Sequence, residues 1–395
     1  MFYYGLDSEL AKWKSARAQL QHKNGDTQTA IATMQAAMEQ APRNYWLKLD
    51  MSQLLFNDGQ AAKALQLAEE VLEIDPDSVE ALSRKSNCLM HLGRAKEALD
   101  TVKEIYEKES GFDPIQELNH LAYFRALAKT EVDLAKAEID EVITQTSIYN
   151  WPDDPPMSLH DQTLLCAGIL SHRLGVNDQV MELLDRRIEV FESSISGLTN
   201  LFLGSFYQKL LESLPVSKEL EENVRSNSQI VEAEKSFLAY LLAIRAVLHQ
   251  DAGDNDKRDA DRAAVEELGL DEEQLLAAMP DEWEALIRLY GNAQFLDTRA
   301  MVNLARRKDL RSARQDLNLA VLATELILES FDGQIQNTIQ NENGQAFDIE
   351  GIKKSQAVML KHRSDLNRAM GRTEESERDL QRIGELGFTN LASLF

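Results

Sequence analysis

Gly25, Gly59 and Gly93 stand 34 residues apart. In the same register follow Ala30, Ala64 and Ala98, then Met34, Ala68 and Val102, then Ala37, Val71 and Ile105, and Pro42 and Pro76 close the first two units. A fixed period of this length means that one supersecondary unit recurs along the chain. No other feature constrains the fold so strongly.

The columns have physical roles. The glycine accepts the left-handed conformation at which one helix stops, and a second helix begins just after it. The alanine five residues on lies where the two helices approach most closely, so it must be small. The next two columns complete an apolar stripe at helical spacing. The proline cannot continue the second helix and separates one hairpin from the next. A lone hairpin cannot bury its apolar face, so neighbours must stack.

On these residues, QHKNGDTQTAIATMQAAMEQAP, LFNDGQAAKALQLAEEVLEIDP and LMHLGRAKEALDTVKEIYEKES resemble three consecutive tetratricopeptide repeats of bacterial type, as units 11–44, 45–78 and 79–112. The aromatic expected early in the first helix is replaced by Lys14, Lys48 and Leu82, and the tyrosine column by Gln21, Leu55 and Leu89. Residues 116–144 form a degenerate fourth unit with Thr130 in place of the turn glycine, so the N-terminal array covers 1–150. WPDDPPM at 151–157 holds three of the eight prolines and marks a break. From 158 to 290 one unit fits the columns at Gly168, Gly175, Val180, Leu184 and Ile188, and longer helices without assignable register follow from about 196. The segment 291–395 returns to the pattern at Ala313, Leu317 and Ala320 and again at Gly371, Leu380 and Ile383, with a polar, exposed connection near 331–351. The resemblance implies an all-α superhelix of stacked hairpins, degenerate in its middle.

Composition excludes several functions. The chain has 66 acidic and 42 basic residues and a net charge of -24, the wrong sign for neutralising phosphates, so nucleic acid and anionic lipid are poor partners. Cys88 and Cys166 sit within helical patterns as small hydrophobes, which suits a reducing compartment. The N-terminus lacks the pattern of a secretory signal, and Phe237 to Leu248 is too short to span a bilayer and carries Arg245. A cytoplasmic protein without membrane insertion is expected.

No catalytic constellation emerges. GxxxxGK[ST], GxSxG and HExxH are all missing from the sequence. His160, Cys166 and His172 are six residues apart, which turns successive side chains onto different helix faces, and the acidic run 251–261 lacks a glycine at the sixth position of a calcium loop. Neither a metal nor a cofactor is expected, and the chain reads as a non-enzyme.

The family resemblance implies binding of a peptide or partner helix on a concave wall of first helices. Positions two, five, nine and twelve of each unit face that wall, and they give the candidate groove set Trp46, Leu49, Gln53, Phe56, Ser83, Asn87 and Met90. Trp46 and Phe56 are equally compatible with packing against adjacent helices. A carboxylate clamp is unsupported, because its positions hold Ser15, Gln19, Asp50, Glu80 and Arg84, of which Arg84 alone fits. A second candidate is a basic docking face of Arg307, Arg311 and Arg314 on one helix, with a merely solvated face as its alternative. The sequence thus points to a scaffold or adaptor for another protein; an assembly subunit or homo-oligomer with a permanently filled groove is the alternative.

Overall fold

A computed structural model describes residues 3–108, 113–147, 158–175, 177–202, 218–331, 338–340 and 346–389. The Pro-rich stretch 151–157 and most of the connection near 331–351 lie outside the described residues.

The chain divides into two compact units. The first comprises Met1–Val142, Asp297–Leu317 and Ala357–Phe395, and the second Ile143–Leu296 and Asn318–Gln356.

The first unit begins with α1 (Tyr3–Lys23), α2 (Thr27–Gln40), α3 (Tyr45–Asn57), α4 (Ala61–Leu72), α5 (Val79–His91), α6 (Ala95–Lys108), α7 (Pro114–Ala128) and α8 (Val132–Ser147). Each successive pair is a hairpin. Gly25, Gly59 and Gly93 have φ of 85°, 78° and 73°. At each, the following amide reaches back to the carbonyl five residues earlier, as in Gln60 N–H to Leu55 O at 2.8 Å. This closure, in which the left-handed residue lets a late amide satisfy an orphan carbonyl, needs glycine to be free of strain. The α7–α8 turn makes the same closure without one. Lys129 takes φ 51°, and Thr130 N–H bonds Arg125 O at 3.2 Å.

The repeat columns face inward as their spacing requires. Ala30, Ala64, Ala98 and Ala135 are fully buried, as are Met34, Ala68, Val102 and Ile139. Side-chain bonds tie the hairpins further: Ser52 Oγ donates to Ala64 O at 2.8 Å, and buried Arg125 pairs with Glu138 between α7 and α8. Burial pushes the Glu138 carboxyl up, and the Arg125 charge opposes that shift.

The second unit contains α9 (Leu159–Leu174), α10 (Asp178–Phe202), α11 (Lys218–Asp251), α12 (Asn255–Glu267) and α13 (Glu272–Ala278). Leu159 is buried and Asp161 through Ser171 is buried without interruption, so α9 is a core helix surrounded on every side along that stretch. Phe237 to Leu248 lies in α11, largely buried, and its one charge is met: Arg245 pairs with Asp261 at 2.6 Å and Asp185 at 2.8 Å. The α11–α12 hairpin also supplies the register that the sequence hides. Arg245, Gly253 (φ 76°) and Asp261 have the same spacing as Arg363, Gly371 (φ 77°) and Asp379 in the C-terminal hairpin.

That hairpin consists of α16 (Ile349–Ala369) and α17 (Thr373–Glu385), preceded by α14 (Glu282–Arg306) and α15 (Leu310–Phe331). Arg299 forks onto Asp316 and Arg363 onto Asp379, both carboxylates being buried. The buried position in α17 expected of Leu380 is taken by Asp379, while Leu380 is half-buried. Thr338–Gln340 and Ala346–Asp348 pair as a short antiparallel ribbon, β1 and β2, which the all-α reading of the connection did not anticipate.

Candidate functional site

The first helices α1, α3 and α5 lie side by side, α3 touching both others. Their exposed edges form one wall, and a cleft of about 270 Å3 opens between α1 and α3. Lys12, Ser15 and Gln19 line it from α1, and Trp46 and Asp50 from α3. Ser15 Oγ donates to Asp50 Oδ2 at 2.6 Å, which pins the cleft floor. Trp46 is 49% exposed and stacks on Tyr45 at 5.3 Å between ring centroids, so it is held at the rim by an aromatic neighbour.

The structure separates the predicted groove residues by burial. Leu49 and Phe56 are 6% and 4% exposed. Leu49 packs with Val71 and Ala81, and Phe56 belongs to the core cluster that includes Leu54, Leu89 and Phe124. Neither offers a groove wall: both side chains lie in the seams between hairpins. Met90 packs partly on the same core, Ser83 and Gln53 are half-buried, and Asn87 is exposed. Trp46 is thus the most exposed of the set's large apolar side chains.

A polar ladder crosses the wall. Arg84 of α5 donates to Gln53 Oε1, Gln53 Nε2 donates to Asn57 Oδ1 at 2.7 Å, and Asn57 Nδ2 stands 3.2 Å from His22 Nε2. His22 Nδ1 lies 3.0 Å from Thr27 Oγ1. With the Asn57 amide donating, His22 Nε2 must accept, which puts the ring proton on Nδ1 facing Thr27. Burial holds the Arg84 guanidinium below its ordinary value, opposed by Cys88 and Asp50, and its buried Nε has no hydrogen-bond partner among the described residues. Of the ladder residues, Gln53 and His22 fall on wall positions of the repeat register. Asn57 lies one position past that register, and its bond to His22 follows only once α3 is set beside α1.

The basic face is not continuous. Arg307 lies in the turn between α14 and α15 with φ 49°, where it makes the glycine-type closure of Lys308 N–H to Asn303 O at 3.2 Å. It therefore shares no helix with Arg311 and Arg314. Arg311 is exposed, whereas Arg314 bonds Asn367 Oδ1 at 3.1 Å.

His172 pairs with Asp251 at 2.6 Å and Cys166 is buried, its thiol pushed up to about 12 by desolvation. Among the described residues, no three His, Cys, Asp or Glu side chains converge to hold a metal ion, and no helix is long and apolar enough to cross a membrane.

Stacked two-helix hairpins with a shared closure define an all-α helical-repeat protein. Residues 21–67 and 55–114 match the tetratricopeptide repeat family model, which identifies that stretch as tetratricopeptide repeats. No curated protein matches the sequence. Among solved structures, a tetratricopeptide repeat protein from Parabacteroides merdae is 14% identical, with 82% of this chain and 99% of its own covered and a TM-score of 0.31. Yeast Tom70 is 13% identical, with 96% and 76% covered and a TM-score of 0.28. Neither likeness bears on function. Repeats of this family are protein-interaction scaffolds.

Proposed function

We propose that the chain is a non-catalytic scaffold that holds an extended peptide or helix of another protein along the first-helix wall, anchored in the cleft between α1 and α3. The observation that carries this reading is Trp46. A large aromatic left half exposed at the rim of a cleft, beside hydrogen-bonding groups, has the character of an interface anchor. Gln53 and Asn87 add amide groups to the same wall.

The test is affinity capture from native lysate with wild type, Trp46→Ala and Trp46→Ala/Gln53→Ala, each first checked for unchanged helical circular dichroism. A protein held by wild type and lost by both folded variants supports the reading. Capture that is indifferent to both variants but lost on Arg307→Glu/Arg311→Glu moves binding to the basic turn and overturns it.

A further inference from the structure

Residues 10–25 contain Lys12, Lys14, Arg17 and Lys23 and no acidic residue, in a chain of net charge -24. In this basic island α1 is fixed inward by small side chains: Ala11, Ser15 and Ala18 are buried. Leu10, Trp13 and Leu20, by contrast, are 49%, 73% and 62% exposed. At the α-helical advance per residue, Leu10, Trp13, Arg17 and Leu20 fall within an arc of about 80° and span about 15 Å. Their intervals of three, four and three are those by which a helix presents a seam to a partner helix. Arg17 is exposed within the seam and Lys14 flanks it. The cleft uses other residues of α1, so this is a separate surface.

Three large apolar side chains exposed in one stripe of a helix form the kind of patch that marks an interaction surface. We infer that this face of α1 docks an acidic amphipathic helix of another protein, with apolar residues at heptad spacing against Leu10, Trp13 and Leu20 and carboxylates beside Lys14 and Arg17. Charge decides the occupant. A second copy of the same face would set basic residues against basic residues, which opposes pairing. The inference is independent of the cleft reading.

The test titrates the full chain into a labelled designed helix, (EIAALEK)3, and into its charge-reversed counterpart (KIAALKE)3, followed by fluorescence anisotropy. The acidic helix binds, at least tenfold more tightly than the basic one, and weakens at least tenfold from 0.05 to 0.5 M NaCl, on the order expected for screened charge pairs. Trp13→Ala/Leu20→Ala abolishes binding, Lys14→Glu/Arg17→Glu reverses the preference, and Trp46→Ala leaves both unchanged. The proposal is overturned if the acidic helix fails to bind, if both helices bind alike, or if binding survives Trp13→Ala/Leu20→Ala. It is also overturned if sedimentation shows a dimer that Trp13→Ala/Leu20→Ala dissolves, which would make a second copy the occupant.

Discussion

Gly168 of α9 meets Ile244 of α11 so closely that a Cβ on the glycine would stand 2.7 Å from Ile244 Cγ1. Glycine is disfavoured in a helix interior by about 1 kcal/mol relative to alanine. Here the contact outweighs that preference. Gly168→Ala is expected to destabilise the fold by about 1–3 kcal/mol through overpacking. Urea unfolding should also show that Ile244→Ala absorbs part of this cost, so the double variant loses less than the sum of the singles.

The bidentate pairs inside the hairpins make a second prediction. Arg363 spans to Asp379 in α17, whose carboxylate is buried and also accepts from Asn367 Nδ2 at 3.2 Å. Arg363→Met strands that carboxylate and is expected to cost about 3–5 kcal/mol. Arg363→Met/Asp379→Leu should recover most of the loss, because an apolar pair leaves no buried charge. Thermal melts of the three proteins decide the matter; a double variant as unstable as the single would contradict it.

Burial within the first-helix wall separates anchor from core. Phe56→Ala is expected to cost about 3–5 kcal/mol and Leu49→Ala about 2–5 kcal/mol, since both leave cavities. Trp46→Ala should change stability by no more than about 0.5 kcal/mol, as for a surface position. Equal losses at Trp46 and Phe56 in chemical denaturation would mean that the indole is also core.

Both thiols are predicted to be inert and to give the fold an alkaline limit. Desolvation raises Cys88 to about 11, against the lowering effect of Arg84, and raises Cys166 to about 12. The thiolate is the reactive form, so native protein should resist iodoacetamide until unfolded. The folded chain keeps these protons where the unfolded chain, with thiols at the ordinary 9.0, releases them. Stability is therefore full below pH 9 and falls as pH rises towards the folded values. Unfolding measured from pH 8 to 10.5 should show that decline, and Cys88→Ala/Cys166→Ala should flatten part of it.

What was legible in the sequence was whatever local chemistry repeats. The glycines at 25, 59 and 93 mark turns because only a left-handed residue closes them, and the alanine columns mark the closest helix approach. Turns made by Lys129 and Arg307 carry no such mark, since the strain there is imposed by the surrounding hairpin; Arg307 consequently read as helix. The α11–α12 hairpin was hidden for another reason. Its first helix is 34 residues long, so no 34-residue period survives, although Arg245, Gly253 and Asp261 keep the internal spacing. Within the wall, Trp46, Leu49 and Phe56 share one pattern position by position. Which of them stays exposed depends on the helices on either side, and one helix's sequence does not contain that. Trp13 lies off the wall register, and its exposure is set by which neighbours the first helix packs against.

The ladder from Thr27 through His22, Asn57 and Gln53 to Arg84 leaves the Gln53 and Asn57 amides already engaged with one another. An incoming backbone must therefore exchange hydrogen bonds with them, giving back roughly what it takes. Such a surface discriminates more than it holds. A ligand whose groups match the vacated donors and acceptors breaks even, and one that mismatches strands them, so tightness has to come from the aromatic rim while the ladder decides which sequences are refused.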